Sequence, residues 1–142
     1  MEVVAKSQPS SALILVIEDS ELVRSMLQTT LARLGYKVVL AADGYQGLVS
    51  IRNQAPDLIL CDVEMPGLNG YEVLESLRST QSKLANWHKI PFVMMSGTSV
   101  TTPEPEPEPT EIAPDCYLPK PFNLNELRAV LTKYLPPPAK AS

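Results

Sequence analysis

Short apolar runs alternate along this chain with segments of helical spacing, and this alternation restricts the fold more than any other feature. ALILVI at 12–17 is a continuous apolar run bounded by polar residues, and DLILC at 57–61 ends in a similar run. Such runs are typical of strands that are buried on both faces. Strands of this kind occur mainly in parallel sheets with helices on both sides.

Helical patterns fill the segments between these runs. After Ser20, apolar residues recur at helical spacing until Gly35, which is a suitable end for a helix. Asp43 begins a second helix, and Asn69 and Asn123 each begin a helix with a glutamate three residues later, as in a capping box. The predicted strands cover 12–17, 36–41, 57–61, 90–95 and 115–118.

We therefore predict an α/β fold with a doubly wound parallel sheet between helices. Right-handed crossovers place the carboxyl end of every strand on the same edge of such a sheet, and ligands bind at that edge. The residues to consider as a site are those that directly follow the strands. They are Glu18, Asp19, Asp62, Ser96 and Lys120.

Each of these residues also has a simple structural interpretation. Asp19 could cap the first helix, Asp62 could be a turn residue, and Lys120 could be a surface lysine. Their joint placement after four different strands favours a shared site instead. Three carboxylates need a counter-charge, which Mg²⁺ commonly supplies. A cation, a lysine and a hydroxyl beside a carboxylate are suited to phosphoryl transfer, with the carboxylate as the nucleophile.

Composition excludes several other classes of protein. The net charge is −4, and the four glutamates between residues 104 and 111 account for it. The rest of the chain is therefore close to neutral, and it contains no basic stripe that would indicate a nucleic-acid partner. His88 is the only histidine, which disfavours a histidine-based metal site. The run at 12–17 is too short to cross a bilayer, and the N-terminus lacks the pattern of a signal peptide. We predict a soluble cytoplasmic protein without membrane insertion.

Four motifs lie at the ends of the predicted strands. They are IEDS at 17–20, LILCDVEMPGLNGYEVL at 58–74, FVMMSG at 92–97 and YLPKPF at 117–122. Together they closely resemble the receiver domain of bacterial two-component response regulators, in particular its stand-alone, chemotaxis-regulator-like form. The resemblance extends from about residue 12 to about residue 135. It implies a flavodoxin-like sheet of five parallel strands in the order 2-1-3-4-5.

The resemblance also implies a role for each site residue. Glu18 and Asp19 correspond to the acidic metal pair, with Asp19 the more direct ligand of Mg²⁺. Asp62 corresponds to the phosphoacceptor and is itself a metal ligand, and the backbone carbonyl of Glu64 corresponds to a further ligand.

Three other residues correspond to the parts of the family's site that handle the phosphoryl group. Ser96 matches the hydroxyl that bonds this group, and Lys120 matches the lysine that pairs with it. Tyr117 matches the switch aromatic, which turns inward when that hydroxyl moves. The peptide bond between Lys120 and Pro121 is expected to be cis, as is usual in the family.

The chain departs from the family between its fourth and fifth strands. The family has a helix there, whereas this sequence has GTSVTTPEPEPEPTEIAP, and alternating proline prevents a helix. We predict an extended Pro/Glu-rich excursion over 101–114, within a receiver domain at 12–135. The segments 1–11 and 136–142 are expected to be a disordered lead and a disordered tail.

The function that we predict is a single-domain response regulator, because the sequence ends shortly after the last predicted helix. A histidine kinase or a phosphotransfer protein would phosphorylate it, and it would signal through contacts with a downstream protein or as a homodimer through strand five and the last helix. One alternative is a scaffold that has the receiver fold but does not switch. Another is a Mg²⁺-dependent phosphatase, although no substrate pocket is evident, so we expect no enzyme beyond reactions of its own phosphoryl group.

Overall fold

The protein was studied as a computed structural model, which describes residues 11–79, 86–97 and 113–136. Within these ranges the chain forms a five-stranded parallel sheet and four α-helices. The strands are β1 (Leu13–Ile17), β2 (Lys37–Ala41), β3 (Leu58–Asp62), β4 (Phe92–Ser96) and β5 (Cys116–Pro119). The helices are α1 (Glu21–Arg33), α2 (Gly44–Asn53), α3 (Gly70–Arg78) and α4 (Leu124–Tyr134), with a 3₁₀ turn at Trp87–Lys89.

The strand order is β2-β1-β3-β4-β5, and every neighbouring pair is parallel. The predicted doubly wound, flavodoxin-like sheet in the order 2-1-3-4-5 is therefore confirmed. β1 and β3 lie in the middle of the sheet and are buried along their whole length, as their apolar runs predict.

Alternate residues of the strands form two separate cores on the two faces of the sheet. Ile14 and Val16 belong to one core, which contains buried leucines of α1 and α4. Leu15 and Ile17 belong to the other core, which contains buried residues of α2 and α3. The helices therefore cover both faces in pairs, and the carboxyl ends of the strands remain open at one edge.

Local sequence signals determine where the helices begin and end. Asn69 and Asn123 each accept a hydrogen bond from the backbone N–H of the glutamate three residues later, and each glutamate carboxylate accepts one from the cap residue in return. Both predicted capping boxes are confirmed. The chain leaves α1 through Gly35, whose φ of 99° lies in the left-handed region that favours glycine.

The segment in which the sequence departs most from the family's pattern lies mostly outside the described residues. The Pro/Glu-rich excursion falls between β4 and β5, where only residues 97 and 113–115 of the connection are described. The predicted replacement of the family's helix thus stays a prediction, as do the expectations for most of the lead and the tail. Among the described helices, none is long and apolar enough to cross a bilayer.

Candidate functional site

The site lies at the carboxyl edge of the sheet, where the ends of β1, β3 and β5 bring acidic and basic side chains together. Glu18 directly follows β1, Asp62 is the last residue of β3, and Lys120 directly follows β5. The Lys120 Nζ donates to Glu18 Oε1 at 2.7 Å and to Asp62 Oδ1 at 3.2 Å. One ammonium therefore bridges two carboxylates that are 44 residues apart in the sequence but adjacent in space, as the strand ends predict.

Both of these carboxylates are buried. Glu18 is 1% exposed and Asp62 is 7% exposed. The pKa of Asp62 is raised to about 6, first by burial and then by the Glu18 carboxylate, whereas the Lys120 ammonium opposes the rise. Burial would lower the pKa of Lys120, but its hydrogen bond to Glu18 and its attraction to both carboxylates raise it. Lys120 is therefore a permanent cation of this site near neutral pH.

Asp19 completes an acidic group at the mouth of the site. Glu18, Asp19 and Asp62 each offer a carboxylate oxygen, and these oxygens lie within 4.8 Å of one another. Asp19 is exposed, whereas the other two are buried. Oxygen ligands at this separation suit a hard divalent cation, which prefers a few carboxylates and retains several waters. These three residues thus fit the predicted Mg²⁺ site, and Asp19 offers its most accessible carboxylate.

Ser96 and Glu64 lie beside this group but on different segments. Ser96 ends β4, is half-buried, and its carbonyl oxygen accepts a hydrogen bond from the backbone N–H of Lys120 at 2.9 Å. In the sheet register Met95 pairs with Asp62, so Ser96 lies one residue beyond the level of Asp62. Glu64 is an exposed residue of the loop after β3. Its carbonyl as a metal ligand remains a prediction.

The connection from β5 to α4 contains the cis peptide bond that the sequence resemblance predicted, between Lys120 and Pro121. Tyr117 lies on β5, three residues before Lys120, and is 41% exposed. Its hydroxyl lies 2.9 Å from the hydroxyl of Tyr71, on α3, and either group could be the donor. Tyr117 therefore points toward α3 in this structure, and its hydroxyl contacts a residue outside the predicted set.

Two residues near the site were not found from the sequence. Arg24, on the first turns of α1, donates from Nη1 to the carbonyl oxygen of Glu18 at 2.7 Å. Tyr71 contacts Tyr117 as described above. Both side chains reach the site from helices and not from the ends of strands. A search restricted to strand ends could therefore not identify them. A charged residue five positions after the acidic pair is the only signal that the sequence offered for Arg24.

A largely apolar groove of about 320 Å³ opens next to Lys120, between α1 and α4. Its rim includes Met26, which is 58% exposed, and Leu124, which is 46% exposed. Leu22, one turn before Met26 on α1, is 71% exposed. The other residues that line the groove are Val23, Leu27, Thr30, Pro121, Phe122, Asn123 and Leu127. The site is thus adjacent to an exposed apolar surface.

Comparison with known proteins gives the same family throughout. The family model of the response regulator receiver domain matches residues 14–132. The chain is 40% identical over 116 residues to the response regulator MprA of Mycobacterium sp. (strain KMS), covering 82% of this chain and 47% of that protein. It is 34% identical over 129 residues to the probable transcriptional regulator ycf27 of Porphyridium aerugineum, covering 91% of this chain and 50% of the relative. The chain thus spans about half the length of these relatives.

Solved structures agree with the fold. The chemotaxis response regulator CheY4 of Vibrio cholerae superposes with a TM-score of 0.75 at 32% identity, covering 89% of this chain and all of the other. The receiver domain of the sensor histidine kinase PA1611 from Pseudomonas aeruginosa PAO1 superposes with a TM-score of 0.74 at 28% identity, covering 88% of this chain and 98% of the other. That structure has a magnesium ion coordinated in its active-site cleft. With its sheet order, its acidic group and these matches, the chain belongs to the family of response regulator receiver domains.

Proposed function

We propose that this receiver domain takes up a phosphoryl group on Asp62, from a histidine kinase or a phosphotransfer protein, and passes the signal on through protein contacts. The observation that carries the proposal is the position of Asp62. Its carboxylate is buried at a strand end, one oxygen lies 3.2 Å from the Lys120 ammonium, and two further carboxylates lie beside it. A solvent-exposed turn residue would have none of these neighbours.

The acidic group supports a role for Mg²⁺ in this reaction. Glu18, Asp19 and Asp62 are the side chains that would hold the ion, with the Glu64 carbonyl as a further ligand. When bound, Mg²⁺ would offset the negative charge of these carboxylates and of the phosphoryl oxygens. The magnesium ion in the similar receiver domain of PA1611 supports the same choice of metal.

The chain's own residues would contribute to the transfer as follows. A carboxylate oxygen of Asp62 attacks phosphorus, and the bond between phosphorus and the donor's imidazole nitrogen breaks, so the electron pair leaves with the imidazole. Lys120 would then offset charge on the transferring oxygens, and Ser96, one residue beyond the level of Asp62 on the neighbouring strand, would donate its hydroxyl to one of them. Tyr117 would respond to this new contact of Ser96 as the switch residue.

The groove between α1 and α4 supports delivery by a protein donor. Lys120 lines the groove and also contacts Asp62, so a donor that covers the groove would bring its phosphohistidine close to the acceptor. The exposed side chains of Leu22, Met26 and Leu124 offer an apolar contact for a helix of that donor.

We further propose that these events take place in the cytoplasm and that the protein turns over no phosphoester besides its own.

Intact-mass spectrometry tests the central step. After incubation with Mg²⁺ and acetyl phosphate, the parent protein should gain the mass of one phosphoryl group, and Asp62→Asn should gain none. Glu75→Gln, which changes an exposed carboxylate on α3, is the matched control and should be labelled like the parent. Equal labelling of Asp62→Asn would contradict the assignment. A parent protein that takes up no phosphate from any donor would favour a scaffold that only binds partners.

A further inference from the structure

Arg24 lies on the first turns of α1, and its side chain reaches back to the loop that carries the acidic pair. Its Nη1 donates to the carbonyl oxygen of Glu18 at 2.7 Å, a short distance that is usual for an ionised donor. Glu18 is 1% exposed, so this carbonyl lies away from water and needs a partner inside the protein. In the described part of the chain, the ion pairs of Glu18 and Asp62 are both made by Lys120. Arg24 thus contacts the backbone of the described site rather than its carboxylates.

The backbone of Asp19 is held by a hydrogen bond on each side. The peptide unit before Asp19 contains the Glu18 carbonyl, which accepts from Arg24. The peptide unit after Asp19 contains the N–H of Ser20, which donates to Glu18 Oε2 at 3.1 Å. Each unit is planar, so a bond to one of its atoms restrains the orientation of the whole unit and with it the backbone dihedrals of Asp19. The direction in which the Asp19 side chain leaves the loop therefore depends in part on Arg24.

Asp19 is the carboxylate of the acidic group that relies most on its backbone for its position. Lys120 holds the side chains of Glu18 and Asp62 at 2.7 and 3.2 Å. Asp19 is exposed, and within the described residues its carboxylate accepts no hydrogen bond. One of its carboxylate oxygens nevertheless lies within 4.8 Å of an oxygen of each of the other two. Because an aspartate side chain is short, a shift of its backbone would move that oxygen away from them.

We propose that Arg24 is a positioning residue, which holds the peptide between Glu18 and Asp19 so that Asp19 presents its carboxylate to a divalent cation. The inference rests on the Mg²⁺ site of the proposed function. Arg24 also brings a positive charge near that cation, and the charge alone would weaken cation binding. A positioning role predicts the opposite, because loss of Arg24 then lowers the affinity for Mg²⁺. The sign of the change in affinity therefore separates the two roles.

Two substitutions of Arg24 and one control measure this effect. Arg24→Met removes the donor and the charge and keeps a long, unbranched side chain, and its affinity for Mg²⁺ should fall about tenfold, as is usual for a lost hydrogen bond behind a metal ligand. Arg24→Lys keeps the charge but ends in an ammonium in place of the planar guanidinium, so its affinity should lie between those of the parent and Arg24→Met. Arg33→Met removes an exposed arginine from the last turn of the same helix and should bind Mg²⁺ like the parent.

The first test titrates MgCl₂ into the unphosphorylated proteins and follows the backbone amide NMR signals of residues 18–20 and 62–64. The same spectra show whether each variant keeps the fold, through the signals of α3 on the other face of the sheet. An affinity of Arg24→Met or Arg24→Lys equal to that of the parent would overturn the proposal, because the bond to Glu18 would then be an incidental contact. Tighter binding by Arg24→Met would overturn it as well, since Arg24 would then act through its charge. If Arg24→Met does not fold, the titration of Arg24→Lys decides.

The second test measures the rate at which acetyl phosphate labels each protein, as a function of the Mg²⁺ concentration. In Arg24→Met the Mg²⁺ concentration for the half-maximal rate should rise about tenfold, whereas the rate at saturating Mg²⁺ should stay near that of the parent. An unchanged Mg²⁺ requirement with a lower saturating rate would overturn the proposal, because Arg24 would then act in the transfer step itself.

The two tests keep this inference apart from the proposed function. Failure of the parent to be labelled by any donor would overturn the proposed phosphorylation, and the titration with MgCl₂ would still decide the role of Arg24. A parent protein that binds no Mg²⁺ would overturn the proposed metal site and this inference together. Equal affinity of Arg24→Met and a parent that does bind Mg²⁺ would overturn the role of Arg24 alone.

Discussion

Asp62 is a carboxylate that the fold keeps next to another buried carboxylate, with one ammonium between them. Lys120 offsets one negative charge, so Glu18, Asp62 and the nearby Asp19 retain an excess of negative charge. Burial increases the cost of this excess, because charges are poorly solvated away from water. The site is therefore suited to binding a cation, and its excess of negative charge lowers the stability of the metal-free protein.

Asp62→Asn should stabilise the metal-free protein at neutral pH. The pKa of Asp62 is about 6 in the folded protein, above its ordinary value near 3.9, so the folded state retains a proton that the unfolded chain has lost. The free energy of unfolding of the parent consequently falls as the pH rises from about 4 to about 6. Above that range, urea denaturation with a chelator present should show Asp62→Asn to be more stable by about 2 kcal/mol.

The pH dependence of that difference provides the check. The advantage of Asp62→Asn should shrink as the pH falls from 6 toward 4, where the parent carboxyl becomes protonated in both states. Glu75→Gln should follow the parent across the whole range. An advantage that is constant between pH 4 and pH 7 would show that removal of the Asp62 charge is not its source.

Mg²⁺ should stabilise the unphosphorylated protein, since it relieves repulsion among the three carboxylates. At ten times its Kd the ion should add about 1.4 kcal/mol to the free energy of unfolding, measured by thermal denaturation with and without the metal. Asp19→Asn should largely remove this gain and should keep the fold, because Asp19 is exposed. Identical thermal midpoints of the parent with and without Mg²⁺ would contradict the metal site.

The sequence identified the charged residues of the site because each follows a strand, and strand ends meet at one edge of a parallel sheet. It did not identify Arg24 or Tyr71. Their contacts with Glu18 and Tyr117 depend on how α1 and α3 are rotated about their axes, and residue order alone does not determine that rotation. Side chains at strand ends could thus be predicted, and side chains that reach the site from helix faces could not.

At the scale of elements, the first residues of the helices were the most predictable features, and the first and last residues of β4 were the least predictable. Caps are local signals, in which one side chain satisfies backbone groups within three residues. The fourth strand was predicted at 90–95, but it covers Phe92–Ser96, because the N–H of Ile90 bonds to the carbonyl of Trp87 in the preceding 3₁₀ turn. An apolar run does not show which of its residues a turn uses.

Gly70→Ala should separate α3 from the strands beneath it. A Cβ on Gly70 would lie 2.6 Å from the carbonyl oxygen of Asp62 and 2.6 Å from the sulfur of Met94. The carbonyl belongs to the backbone of β3 and cannot yield without moving the strand that carries Asp62. We expect a loss of about 1–3 kcal/mol in the free energy of unfolding, measured by urea denaturation.

Gly97→Ala is the control for this substitution, because a Cβ on Gly97 would meet no described atom within 4 Å. Its stability should stay close to that of the parent. If Gly70→Ala were as stable as Gly97→Ala, the close approach of α3 to β3 would not be a constraint on the fold.

At the scale of the whole molecule, a small polar cluster holds β5 at the edge of the sheet. Oδ2 of Asp115, the residue before β5, accepts the backbone N–H of Phe92 at 2.7 Å and the Arg78 Nη2 at 3.0 Å. Arg78 also donates to the carbonyl of Ile90 at 3.1 Å, so α3, β4 and β5 meet at this point. β5 carries Tyr117 and leads to Lys120. The cluster therefore positions the strand that connects the proposed phosphorylation site to the proposed switch residue.

Asp115→Ala should loosen β5 more than it affects the rest of the sheet. The change removes the acceptor of the Phe92 N–H and of the Arg78 guanidinium together, which should cost about 1–3 kcal/mol of the free energy of unfolding. Asp115→Asn should lose less, since its amide oxygen can still accept the Phe92 N–H. Amide hydrogen exchange locates the effect, and exchange in Asp115→Ala should rise in β5 and little in β1 and β3, which lie in the middle of the sheet. An equal rise in all strands would mean that Asp115 stabilises the molecule as a whole and does not specifically anchor its fifth strand.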